Sequence, residues 1–227
     1  MKNRKYLGVA IVIVIVGIFA IWEITSRIKS GAVVEASGLD KVGNNHGETG
    51  DLMTIGKVPQ FSLTNQDGKT ITNKDYDGKV YVIEFFFSTC PTICPIMNQN
   101  MLKIEKAFFG NPNFGIASIT INPEHDTPAV LKEHAAQLGV KSSNWHFLTG
   151  EKDYIFDLSN KGFNLYAGQN DKASGGFEHS GSFALVDKKG NIRSRKDEYG
   201  NPMVYYDGTE AHGVAAIMND IKLLLRE

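Results

Sequence analysis

The chain has 227 residues, a formal net charge of -1 and 42% hydrophobic residues, enough for one domain of ordinary size beyond a targeting segment. Its near-neutral balance, with no basic stripe interleaved with aromatics, argues against nucleic-acid binding. Two cysteines are too few for a disulfide framework.

Three basic residues in Met1–Lys5 precede Tyr6–Trp22, a run of 17 uncharged, mainly apolar residues. Its length matches a thin bilayer, no A-x-A cleavage site follows, and the flanking charges place the N-terminus in the cytoplasm. The expectation is an uncleaved anchor over 1–24, a single pass through the cytoplasmic membrane, with an extracytoplasmic, periplasmic body. Residues 25–56 read as a polar tether, with His46 solvated in it. The folded domain is expected over 57–227.

Val58–Thr64 and Lys69–Thr72 flank the turn Asn65-Gln66-Asp67-Gly68 as a hairpin. Val80–Phe87 is apolar on both alternations, as in a central strand covered on both faces. Within it, Glu84 is a charge that must be paired or protonated; it either tunes the cysteines or sits at a sheet edge. Ser88-Thr89-Cys90-Pro91 breaks the strand, and Pro95 suits the first turn of a helix carrying Met97, Met101, Leu102, Ile104 and Phe108. Phe114–Ile121 is a second apolar strand. A helix follows with Asp126 or Thr127 as its cap, Pro128 in its first turn and Gly139 at its end. Trp145–Leu148 is a short strand, Tyr154–Leu158 is helical, and Ala167–Phe177 is a polar, Gly-rich, mobile loop. Ser182–Val186 and Asn191–Ser194 form a second hairpin, and a terminal helix runs from about Glu210 to Leu225. Strands alternating with helices, with a hairpin near the end, indicate an α/β domain with a mixed sheet.

Cys90 and Cys94 are the chemical centre of this pattern. A strand entering a helix through a cysteine-bearing loop puts both sulfurs near the helix N-terminus, where N–H groups and the dipole favour thiolate. If the helix begins near Cys90, the pair shares one face, suiting one soft metal ion or a disulfide. Soft sulfur selects ions such as Cu(I), and imidazole completes such a site. Of the histidines, His179 is the strongest candidate, since it precedes a buried strand and belongs at a sheet end; as a residue type it is equally a solvated loop histidine. Met97 and Met101 read as core, His125 and His134 as capping or solvated, His146 as packed or half-exposed, and His212 as solvated.

The combination FFFSTCPTICPIM, INPEHDTP, Leu148-Thr149-Gly150 and EHSGSFALVD resembles the Sco/SenC family. Those are membrane-anchored, thioredoxin-like copper proteins that help assemble the copper A centre of cytochrome c oxidase. The resemblance covers Val58 to the C-terminus. It implies a thioredoxin-like mixed sheet flanked by helices, and copper, as Cu(I) or Cu(II), held by Cys90, Cys94 and His179. It also implies partnership with the copper A subunit and with other copper or thiol-redox proteins. Departures are Thr92 between the cysteines, where an acidic residue is common, Asn122 and His125 in place of Asp and Arg, and Glu178 in place of Asp before the histidine. The expected function is a membrane-anchored copper metallochaperone without turnover of its own. The alternatives are an anchored thiol-disulfide oxidoreductase, in which Cys90 and Cys94 are catalytic, and a redox or copper sensor.

Overall fold

The computed structural model describes residues 52–197 and 199–227. Among these residues eleven strands and four α-helices follow in chain order: β1 Met53–Lys57, β2 Ser62–Asn65, β3 Thr70–Thr72, β4 Val80–Phe86, α1 Cys94–Phe108, β5 Phe114–Thr120, α2 Pro128–Leu138, β6 Trp145–Thr149, α3 Lys152–Asp157, β7 Ala167–Gln169, β8 Phe177–His179, β9 Ser182–Val186, β10 Asn191–Ser194, β11 Tyr206–Asp207 and α4 Ala211–Arg226. The main sheet has the order β1-β10-β9-β4-β5-β6-β2-β3, with β11 paired to β9. β4, β5 and β6 are parallel and their neighbours antiparallel, so the sheet is mixed, as expected of a thioredoxin-like domain.

All seven residues of β4 and all seven of β5 are buried. Alternation divides β4 between two faces. Phe86 stacks on His134 of α2 on the helix side, whereas Tyr81 stacks on Tyr76 and Phe85 meets Phe163 on the other. Met97, Met101, Ile104 and Phe108 form the buried stripe of α1, and α4 packs on both α1 and β4. The two methionines belong to this core and are fully buried. In α2, Thr127 is the cap, accepting from the Val130 N–H, and Gly139 closes the helix in the left-handed conformation at φ 77°.

Several expectations change. The strand β1 lies in the stretch read as tether: it pairs with β10, and Arg193 donates to the Leu52 carbonyl at 2.8 Å. The stretch read as a mobile loop after Ala167 begins and ends in paired strands, with Ala167 opposite His179. Glu84 lies in a central strand, not at an edge.

The expected N-terminal transmembrane helix is corrected. The anchor read at 1–24 lies outside the described residues, as does His46. Among the described residues no helix is long and apolar enough to cross a membrane. The longest of the described helices, α1 and α4, have 15 and 16 residues. At about 1.5 Å per residue they fall short of a hydrocarbon core roughly 30 Å thick. A thioredoxin-like mixed α/β fold is supported; the transmembrane element, the single-pass localisation and the membrane-anchored form of the function are not.

Candidate metal centre

Topology explains why residues 85 positions apart meet. β4 and β5 are parallel, so the loops leaving their C-terminal ends emerge on one edge of the sheet. β9 runs antiparallel to β4, with Ala184 opposite Ile83, so it begins at that same edge. The cysteine loop therefore leaves the sheet where the segment His179-Ser180-Gly181 enters it.

One ligand atom from each of Cys90, Cys94 and His179 lies within 4.8 Å of the others. Cys94 Sγ is 3.1 Å from His179 Nε2. Both cysteines are buried and the imidazole is partly exposed, which leaves the centre open on the histidine side. Cys94 is the first residue of α1 and Cys90 lies in the turn before it, its N–H bonded to the Phe87 carbonyl at 3.2 Å. The helix thus begins at the second cysteine rather than near the first, and the bend of the loop, not a shared helix face, brings the sulfurs together. No side chain caps α1, so its dipole acts on the sulfurs directly.

The histidine is held from three sides. Its Nδ1 lies 3.0 Å from the Ser180 carbonyl; donating there, it leaves the Nε2 lone pair directed at the sulfurs. Phe87 meets the ring edge-on, with centroids 5.9 Å apart. The Ser180 N–H bonds the Tyr166 carbonyl, and the Gly208 N–H bonds the Gly181 carbonyl.

The two thiols are unequal. A hydrogen bond from the Cys94 thiol, the largest cause, holds Cys90 far below the ordinary thiol value of 9.0 despite the opposing effect of burial. That same hydrogen bond, together with burial, pushes Cys94 upward. One proton is in effect shared by the pair, with the thiolate on Cys90.

Beneath the site lies Glu84, fully buried on the helix-facing side of β4. Trp145 Nε1 donates to Ser118 Oγ at 2.9 Å, and Ser118 Oγ donates to Glu84 Oε1 at 2.6 Å, a chain crossing β6, β5 and β4. Glu84 Oε2 has no hydrogen-bond partner among the described residues. Burial raises this carboxyl to about 7, against the lowering by Ser118 and by His179.

The other candidates stay apart from the centre. His134 rests on Phe86 and lies 3.5 Å from Asn98 Nδ2. His146 is within 3.4 Å of Asn65 Nδ2, His125 bonds Asp126, and His212 is exposed. Two contributors escaped the sequence reading. Lys152 reaches Glu124 and Gln169 and lies 5.9 Å from the Phe177 ring, tying the β7–β8 hairpin to the body. Asp126, read only as a helix cap, is a fully buried acceptor beside the cysteine loop. Its placement after a central strand was the available signal.

Metal–ligand bonds of about 2.0–2.3 Å place two donors on one ion at most about 4.6 Å apart, so this trio closes on a single ion with small adjustments. The donors are two sulfurs and one imidazole, with no fourth Cys, His, Asp or Glu in the group among the described residues. A structural zinc site wants four such ligands, whereas two thiolates and an imidazole suit a soft, low-coordinate ion such as Cu(I).

A profile of the SCO1/SenC family matches residues 53–211. This chain belongs to the SCO1/SenC family. It is 32% identical over 168 residues to the SCO1 protein homolog of Bacillus subtilis (strain 168), covering 73% of this chain and 81% of that relative. The solved structure of BsSco, described as a member of the Sco family of cytochrome c oxidase assembly proteins with a disulfide switch, is 29% identical with a TM-score of 0.64, over 78% of this chain and 97% of that one. Yeast Sco1, solved with copper bound, is 27% identical with a TM-score of 0.55, over 75% and 90% of the two chains.

Proposed function

We propose that this chain is a copper carrier of the Sco type, taking copper as cargo through Cys90, Cys94 and His179 and delivering it to cytochrome c oxidase assembly, with the copper A subunit as acceptor. The observation that carries the reading is the convergence of two thiols and one imidazole, from two distant segments, within 4.8 Å. Copper-bound yeast Sco1 and the oxidase-assembly description of BsSco support it. Cys90 and Cys94 supply soft anionic donors, and His179 supplies a neutral nitrogen that also accepts Cu(II). The histidine comes from the partly exposed side, so its withdrawal opens a coordination position for an incoming acceptor thiolate. The copper-binding unit is the folded domain, which the sequence reading began at 57 and which β1 extends back to Met53.

A second reading rests on the inequality of the thiols. Cys90 as thiolate attacks an acceptor disulfide, a mixed disulfide forms, and Cys94 gives up its proton and displaces the acceptor as a dithiol, leaving Cys90–Cys94 oxidised. Both readings use the same pair, and His179 separates them.

The deciding experiment is an anaerobic Cu(I) competition titration of wild type, Cys94→Ser and His179→Ala, with an assay of loading onto a copper A subunit. Stoichiometric binding that weakens at least tenfold in both variants is expected. Equal affinity in all three proteins removes the site. A His179→Ala protein that still reduces the acceptor but no longer loads it assigns metal transfer to the full trio and reduction to the thiols.

A further inference from the structure

The buried carboxylate of Asp126 lies outside the donor set, yet it is bonded to the loop that carries Cys90. Its Oδ2 accepts from the Ser88 N–H at 3.0 Å and from Thr120 Oγ1, and its Oδ1 accepts from Ser88 Oγ and from His125 Nδ1 at 2.8 Å. Its own N–H bonds the Asn122 carbonyl at 2.9 Å. Asp126 and Thr120 are wholly buried. Four donors on one sequestered carboxylate form a charge-assisted junction, stiffer than bonds between neutral groups.

Its location gives this junction a purpose beyond stability. The β4–β5 register ends with Phe86 opposite Thr120, and the last backbone bond there runs from the Ile121 N–H to the Phe86 carbonyl. Ser88 then leaves the sheet, two residues before Cys90, and Asp126 receives both its N–H and its hydroxyl. Capping of α2 does not account for this, because Thr127 performs it. The carboxylate ties the departing cysteine loop to Thr120 at the end of β5.

We propose that Asp126 is the positioning residue of the cysteine loop, setting through Ser88 the place of Cys90 relative to Cys94 and His179. For copper this rests on the carrier reading above; for the thiol pair it does not. Removing the acceptor lets residues 88–90 shift and lengthens the separation of the two sulfurs.

The test uses the full chain with Ser88→Ala, Asp126→Asn, the double variant, and Thr127→Ala as a neighbouring control that removes only the cap. Three quantities are read: Cu(I) affinity by competition, the metal-free dithiol–disulfide equilibrium of Cys90 and Cys94 in a glutathione buffer, and the urea midpoint. Asp126→Asn is expected to weaken Cu(I) binding about tenfold and to shift the thiol equilibrium at least threefold. Ser88→Ala should shift both the same way, with the double variant no worse than Asp126→Asn. Thr127→Ala should lower the urea midpoint and leave the other two unchanged. If Asp126→Asn does not fold, Ser88→Ala decides alone by the threefold shift. Wild-type copper affinity and thiol equilibrium in a folded Ser88→Ala or Asp126→Asn protein overturn the proposal, as do fully additive losses. Wild type failing to bind Cu(I) would sink the carrier reading, while the metal-free equilibrium would still test Asp126.

Discussion

Two titratable groups at the site depart from their ordinary behaviour for opposite reasons. Cys90 is lowered because a neighbouring thiol stabilises its charged form, and Glu84 is raised because nothing adequately replaces the water it lost. Iodoacetamide titrated against pH should therefore modify Cys90 well below the usual thiol range of 9.0, with Cys94 protected; mass mapping that finds Cys94 labelled first contradicts the assignment. The folded chain keeps the Glu84 proton to about 7, against 4.5 for the unfolded chain. Below 4.5 both states are protonated and burial of this group has no pH-linked cost; as pH rises through that window to about 7, native stability falls. By linkage the full effect is about 3 kcal/mol. Glu84→Gln should remove this slope, so that its advantage over wild type in urea unfolding grows between acid and neutral pH. A constant difference across the range would place the cause elsewhere.

At the scale of elements, the β7–β8 hairpin delivers the histidine. Gly175 adopts φ +87°, and a Cβ there would stand 2.9 Å from Phe87 Cε2 and 3.1 Å from Pro91 Cδ. The hairpin therefore lies directly on the strand end and loop that carry the cysteines. Gly175→Val combines left-handed strain of about 1–2 kcal/mol with that collision. It should lift the hairpin and weaken Cu(I) binding roughly tenfold, since 1.4 kcal/mol is one decade in affinity. Global stability should change less, because the hairpin is a separate two-stranded sheet. Hydrogen exchange localising the new mobility to α1 instead of residues 167–179 would refute this account.

At the scale of the molecule, an ionic cluster distant in sequence from the cysteines helps lock α4 to the sheet. Arg195 donates from Nε and Nη2 to Asp220 at 2.9 and 2.7 Å, and Tyr206 Oη donates to the same carboxylate at 2.7 Å. Asp220 is only 2% exposed. Arg195 is partly exposed, so losing Asp220 costs less than the roughly 3–5 kcal/mol of a fully buried pair. Asp220→Ala should thus lower Tm substantially, while Cu(I) affinity of the remaining folded protein stays at the wild-type level. A matching fall in affinity would show that α4 and the metal centre are coupled through α1.

Much of the architecture was legible locally. The apolar run Val80–Phe87 announced a strand covered on both faces, Pro95 the first turn of α1, and Gly139 the end of α2, because each depends on residues near in sequence. Cys90 and Cys94 could be nominated from residue type and flanking pattern, whereas His179 stood level with a solvated loop histidine until the family resemblance was added. Three things lay beyond that range: that the bend of the loop and not a shared helix face joins the sulfurs, that residues 53–57 form a strand against β10, and that Asp126 holds Ser88. Hydrogen-bond partners in a sheet, and the acceptors chosen by a loop leaving it, are set by elements far apart along the chain. The amino-acid order determined which side chains are candidates for the chemistry. Only the antiparallel entry of β9 beside the end of β4 decided that they meet, because convergence is a property of strand order, which no local pattern encodes.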